Sequence, residues 1–189
     1  MGQIMKFTKT KLNGVFIIEP NVLEDQRGQF IKVFNKESFA MEKLSFNLEE
    51  SYFSLSKKNV IRGMHFQTPP RDHTKLVYAT HGAIIDVVLD IRVGSPTYGK
   101  YIKIELSEQN HTVIYIPSGF AHGFLSLKNN SLVVYLQTSG YSPANDGGIR
   151  ADSFKMRWNV ARPIVSNRDK SFPPLGKFKS PFKYKAVRK

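Results

Sequence analysis

The spacing of the apolar runs constrains this chain more than any other feature. Residues 15–19 (VFIIE), 29–34 (QFIKVF), 49–56, 83–91 (AIIDVVLDI), 98–106, 112–116, 120–127 and 132–138 are short and rich in β-branched and aromatic side chains. Turn-forming residues stand between them: Pro20, the run Glu24 to Gly28, Gly94-Ser95-Pro96, Glu108-Gln109-Asn110, Pro117-Ser118-Gly119 and Lys128-Asn129-Asn130. Strands recurring about every 8–12 residues with turn chemistry between them predict an all-β sandwich or barrel. In the first half only residues 36–43, behind a capping Asn35, read as a helix, and residues 152–160 read as a short helix or turn. Strands do not alternate with helices, so a parallel α/β sheet is excluded, and Pro163, Pro173 and Pro174 mark an irregular C-terminal wrap.

Polar chemistry concentrates in residues 59–77, NVIRGMHFQTPPRDHTKLV. Arg62, His65, Gln67 and Lys75 lie on two extended segments joined by the rigid Pro69-Pro70 turn. Strict strand alternation puts Ile61, Gly63 and His65 on one face and Arg62, Met64 and Phe66 on the other. Spacing alone therefore separates Arg62 from His65; a bulge or a second segment would have to reunite them. A core strand that happens to hold a histidine fits the same spacing.

Composition narrows the classes. With 189 residues, 41% of them hydrophobic, and fourteen Phe, the chain suits one domain with a sizeable core. There is no cysteine, hence no disulfide framework and no thiolate metal site. No apolar run approaches the ~20 residues of a membrane span. The opening MGQIMKFTKTKLNG has neither the apolar segment of a secretory signal nor the Ser/Thr of a myristoylation site. The expectation is a soluble, cytoplasmic protein without membrane partners. The net charge is +13, and six of those charges (Lys177, Lys179, Lys183, Lys185, Arg188 and Lys189) fall in the last fourteen residues. A tail that is solvated, or draped over its own surface, fits that run better than a nucleic-acid contact.

Five histidines are available. His81 and His111 adjoin turn signals and are expected to face solvent, whereas His65 and His122 sit in apolar surroundings and need polar partners. His65 is followed by Phe66 and Gln67, so the His-x-His half of a common β-barrel metal site is missing and no metal is expected. Nucleophilic catalysis lacks a Cys or a Gly-x-Ser-x-Gly elbow, and no glycine-rich phosphate loop is present. What remains is acid–base chemistry by His and Tyr, with Arg and Lys holding an anion, and no cofactor.

The chain carries Asp25-x-Arg27-Gly28-x-Phe30, Ile61-Arg62-Gly63-Met64-His65-Phe66-Gln67-x-Pro69-Pro70 with Lys75-Leu76-Val77, Asp86-Val87-Val88-x-Asp90-Ile91-Arg92-x-Gly94-Ser95-Pro96-Thr97, Tyr115-Ile116-Pro117-x-Gly119-Phe120-Ala121-His122-Gly123-Phe124, Tyr135 with Tyr141, and the closing Ser166-Asn167-Arg168-Asp169. Together these segments resemble the dTDP-4-dehydrorhamnose 3,5-epimerase family. They run in family order from about residue 15 to 175. The resemblance implies a cupin-like jelly-roll barrel over residues 1–175, with short helices, an irregular C-terminal extension and a basic tail over 176–189. It also implies epimerisation beside the 4-keto group of a nucleoside-diphosphate-linked 6-deoxyhexose, in deoxysugar biosynthesis. His65 would be the base and Asp169 its orienting partner, Tyr135 the acid, and Lys75 the stabiliser of the enolate. Arg62 would bind the diphosphate, while Gln67, His122 and Tyr141 would line the substrate pocket. Arg27 and Phe30 would reach the nucleotide from the partner of a homodimer with exchanged N-terminal strands.

Two positions depart from the family pattern. Lys32 stands where a Glu is usual, two residues after Phe30, and Glu50-Ser51-Tyr52-Phe53-Ser54 replaces the usual Gln-x-Asn-x-Ser. An ammonium only donates hydrogen bonds, so Lys32 with Glu50 suits cytosine better than thymine. A CDP-linked sugar inverted at one carbon is therefore the alternative to a dTDP-linked one. A non-catalytic nucleotide-sugar-binding jelly roll is a further alternative.

Overall fold

The computed structural model describes residues 5–185; Met1 to Ile4 and Ala186 to Lys189, with the tail's Arg188 and Lys189, lie outside them. The chain folds into two antiparallel sheets laid face to face: the all-β sandwich that the strand spacing predicts and the jelly roll that the family resemblance implies. The first sheet runs β1 (Lys6–Lys9), β2 (Phe16–Glu19), β10 (Val113–Ile116), β7 (Lys75–His81), β12 (Ser131–Gln137) and β5 (Glu50–Ser56). The second runs β13 (Asp146–Gly148), β6 (Val60–Gln67), β11 (Phe120–Ser126), β8 (Ala83–Asp90) and β9 (Tyr101–Ser107), and β14 (Ile164–Val165) joins β6 in parallel. A separate hairpin pairs β3 (Asn21–Asp25) with β4 (Gly28–Lys32). This strand ends two residues short of the predicted 29–34 run, because Val33 and Phe34 turn in to pack on the first sheet.

Burial follows the faces. β12 alternates buried and half-buried residues, whereas every residue of β11 is buried. β11 is central and covered on both sides, and such strands read as continuous apolar runs. One outer cover is the C-terminal wrap, with Ile149, Phe154, Met156 and Phe182 on Met64, Phe66, Val87 and Leu89. The other is α1 (Lys36–Met41), capped by Asn35 Oδ1 on the Ser38 N–H at 2.9 Å; it sets Phe39 against Phe7, Phe34 and Tyr115. Residues 152–160 form turns and irregular chain, and the second helix is α2 (Asn167–Ser171), capped by Ser166. The basic tail is draped over the body. Phe182 is buried, Tyr184 accepts from Asn13 Nδ2 at 2.9 Å, and Lys179, Lys183 and Lys185 face outward.

Between the sheets, Val77, Ala79, Ile84, Val88, Ile114, Phe120, Phe124 and Val133 fill one end. The other end is left open and lined with polar side chains.

Candidate active site

The open end is a cavity of about 320 Å³ bounded by β5, β6, β7, β11 and β12. Register sets its first wall. Lys75, Gln137 and Glu50 are paired across β7, β12 and β5, and Val77, Tyr135 and Tyr52 form the next row. Alternate residues share a face, so both rows and Ser54 point inward together.

The second wall carries Arg62 and His65, and here the chain departs from strict alternation. His122 pairs with His65 and Phe124 with Arg62, so β6 advances three residues while β11 advances two. The extra residue is a bulge that brings Arg62 and His65 onto one face. Gly63 makes it possible. Its φ is +125°, and a Cβ there would lie 2.5 Å from the Gly123 Cα. Any side chain at 63 would push the two strands apart.

Asp169, delivered by α2, meets His65 from behind. Its Oδ1 lies 2.9 Å from His65 Nε2, and its Oδ2 accepts from the Gly63 N–H at 3.0 Å. The carboxylate, 4% exposed, fixes the tautomer by accepting a hydrogen bond from the Nε2–H. Nδ1 is left as the lone-pair nitrogen, without a protein partner among the described residues. Burial pulls the imidazole below its ordinary pKa against the opposing pull of Asp169, so His65 rests neutral and able to accept a proton. Burial pushes Asp169 up, but the bonds from His65, Gly63 and Ser166 outweigh it and hold the carboxyl below its usual range.

Lys75 is 7% exposed. Burial pushes its ammonium down to about 8 against the fields of Asp146 and Asp86, and no protein acceptor bonds it among the described residues. A buried, unpaired cation lining a cavity suits an oxygen that gains negative charge. Tyr135, 6% exposed, is raised by burial and stays a phenol; its oxygen is 3.4 Å from Ser54 Oγ. His122 Nε2 and Asp86 Oδ2 form a second buried pair at 2.6 Å. Arg62 Nε donates to Ser56 Oγ at 3.0 Å and one terminal nitrogen donates to the Leu55 carbonyl at 3.3 Å. Its guanidinium is thereby held at the exposed end of the cavity. Gln67 also lines the cavity, but its amide is engaged with the backbone of Arg71, Gly140 and Ser142. Tyr141, 63% exposed, stands at the rim beside the Arg168–Asp146 ion pair.

Other lining residues had no role assigned from the motifs. Tyr52 stacks on Tyr135, and Gln137, His73, Asp146 and Arg168 complete the lining. Asp86 was legible as a carboxylate inside an apolar strand, which requires a partner. Arg27, Phe30 and Lys32 do not line this cavity. They stand on the β3–β4 hairpin, Phe30 61% exposed and Arg27 paired with Asp25. Among the described residues no three His, Asp or Glu side chains gather as metal ligands.

The profile described as dTDP-4-dehydrorhamnose 3,5-epimerase matches residues 9–177. The chain belongs to the dTDP-4-dehydrorhamnose 3,5-epimerase family. A family member from Sinorhizobium fredii is 37% identical over 187 residues, covering 97% of this chain and 96% of the relative. Solved members superpose closely on this epimerase. The enzyme from Legionella pneumophila, in complex with dTDP-4-keto-L-rhamnose, gives a TM-score of 0.91 at 30% identity, covering 96% of this chain and all of that one. A 3'-monoepimerase from Streptomyces bikiniensis, in complex with dTDP-quinovose, gives 0.84 at 30%, covering 88% and 86%.

Proposed function

We propose that this epimerase inverts C3 and C5 of dTDP-4-dehydro-6-deoxyglucose through enolate intermediates. One observation carries the reading: His65 backed by Asp169 on one wall, and on the facing wall a phenol, Tyr135, beside the ammonium of Lys75, which no protein acceptor bonds among the described residues. The 4-keto group acidifies the C–H bonds on either side. His65 Nδ1 removes a proton, Lys75 receives the charge that moves onto the ketone oxygen, and Tyr135 returns a proton to the opposite face. Arg62 holds the diphosphate at the exposed end, where guanidinium matches two phosphate oxygens. His122, tied to Asp86, and Glu50 line the sugar site, and Tyr141 closes the rim.

The functional unit of this reading is a cytoplasmic homodimer. The β3–β4 ribbon leaves Leu23 51% and Phe30 61% exposed, and a lone two-stranded ribbon is marginal in water. On the outer face of the β5 edge Phe53 is 67% and Leu55 56% exposed. A partner's hairpin laid there covers both and brings its Arg27, Phe30 and Lys32 to the nucleotide. Glu50 lines the sugar end of the cavity, and the solved relative from Legionella pneumophila is described with a dTDP-linked sugar, so dTDP is the preferred carrier. Proton exchange at C3 and C5, followed by NMR in D₂O with dTDP- and CDP-linked substrates, tests the function. Exchange with the CDP sugar alone overturns the dTDP assignment, and no exchange with either overturns the epimerase reading.

A further inference from the structure

Tyr52 and Tyr135 are cross-strand partners, their rings 4.7 Å apart and inclined by only 19°. The stack sets two phenols on the wall that faces His65. Their hydrogen bonding differs. Gln137 Nε2 donates to the Tyr52 oxygen at 2.6 Å. An amide N–H only donates, so the hydroxyl hydrogen of Tyr52 is left over, and no protein acceptor takes it among the described residues. Tyr135 has only the Ser54 hydroxyl, at 3.4 Å. Tyr52 is also the more open of the two, 42% exposed against 6%. It occupies the position where the family pattern has Asn.

We propose that Tyr52 is a second general acid, delivering the proton to one of the two carbons beside the ketone while Tyr135 serves the other. The inference rests on the epimerase reading above. At the carbon Tyr52 serves, His65 Nδ1 takes the hydrogen and the C–H electron pair enters the enolate, its charge on the oxygen beside Lys75. The enolate pair then forms a new C–H bond with the Tyr52 hydrogen on the opposite face. The O–H pair stays on Tyr52 as phenolate, facing the amide N–H that Gln137 already holds in place. Water reprotonates Tyr52 and takes the proton from His65, so the net change is one inverted carbon and one exchanged hydrogen. Burial pushes Tyr52 up to about 12 and Tyr135 higher still, so Tyr52 gives up its proton at the lower cost.

The test reads each carbon separately. Wild-type enzyme, Tyr52→Phe, Gln137→Leu and Tyr135→Phe are incubated with dTDP-4-dehydro-6-deoxyglucose in D₂O, and inversion with deuterium uptake is followed at C3 and C5 by NMR. Tyr52→Phe, which keeps the stacked ring, is expected to slow inversion at one carbon by about 10²-fold more than at the other. Gln137→Leu slows the same carbon by a smaller factor, and Tyr135→Phe reverses the preference. Should Tyr52→Phe not fold, Gln137→Leu carries the comparison alone. Equal slowing of both carbons or slowing of neither overturns the second acid and leaves the epimerase reading intact; a wild type that inverts only one carbon overturns the second acid and narrows the epimerase reading to that carbon. A wild type that exchanges at neither carbon fails the epimerase reading itself.

Discussion

Replacing Lys75 by Met separates stability from catalysis. The ammonium sits in a site that lowers its pKa from 10.5 to about 8, through burial that Asp146 and Asp86 only partly offset. That gap of about 2.5 pH units amounts to about 3 kcal/mol, at about 1.4 kcal/mol per unit. Below pH 8 folded and unfolded chains both hold the proton, and the folded state bears the whole cost. Between pH 8 and 10.5 the unfolded chain holds more protons, so the stability of the wild type rises with pH. Met keeps the unbranched stem and removes the charge. Lys75→Met should therefore be more stable than wild type by about 3 kcal/mol at pH 7, with a Tm higher by roughly 6–12 °C. The advantage should fade as the pH approaches 10.5. Urea denaturation at pH 7 and pH 10 measures it, at one protomer concentration because association adds to apparent stability. The same substitution should lower kcat by about 10²–10³-fold, the cost of losing a charge-stabilising donor. A variant less stable than wild type, or an advantage unchanged between pH 7 and pH 10, refutes the buried-ammonium argument.

Other consequences follow from the same geometry. The acid limb of kcat/KM should lie below the ordinary histidine value of 6.5, since burial lowers His65, and the alkaline limb near 8, where Lys75 loses its proton. Asp169→Asn removes the group that holds the imidazole up; it should move the acid limb lower still and cut kcat by about 10²–10⁴-fold. A pH–rate profile that keeps its acid limb sinks the dyad. Gly63→Ala should cost about 3 kcal/mol or more, because its methyl meets the Gly123 backbone at 2.5 Å from a left-handed φ. Urea denaturation reads that loss, and near-wild-type stability contradicts the bulge packing. Arg62→Lys should raise KM about 10-fold and spare kcat, since an ammonium cannot match two phosphate oxygens. A loss confined to kcat places Arg62 in the chemistry instead.

Much of this architecture was legible in the residues because most of it follows from local period. β12 alternates buried and half-buried residues as strand period requires, so Tyr135 shares the buried face with Val133 and Gln137. What period could not supply is register. Tyr52 opposes Tyr135 only because β5 pairs with β12 residue for residue, and nothing within either strand states that pairing. β13 and β14, of three and two residues, exist only because β6 offers a free edge, so no run in the sequence marks them.

The face of Arg62 shows the limit most sharply. Alternation alone sets it opposite His65, and the alternation is broken by the contact of Gly63 with Gly123, sixty residues along the chain. The glycine that makes the bulge possible also donates its N–H to Asp169, so the group that orients the base rests on the backbone that reunites base and phosphate binder. A single close approach thus sets both. Substitutions at 63 and 123 should therefore impair substrate binding and proton transfer together, whereas substitutions at Arg62 or Asp169 should separate them. Kinetics in which a residue-123 variant loses only one of the two would break that link.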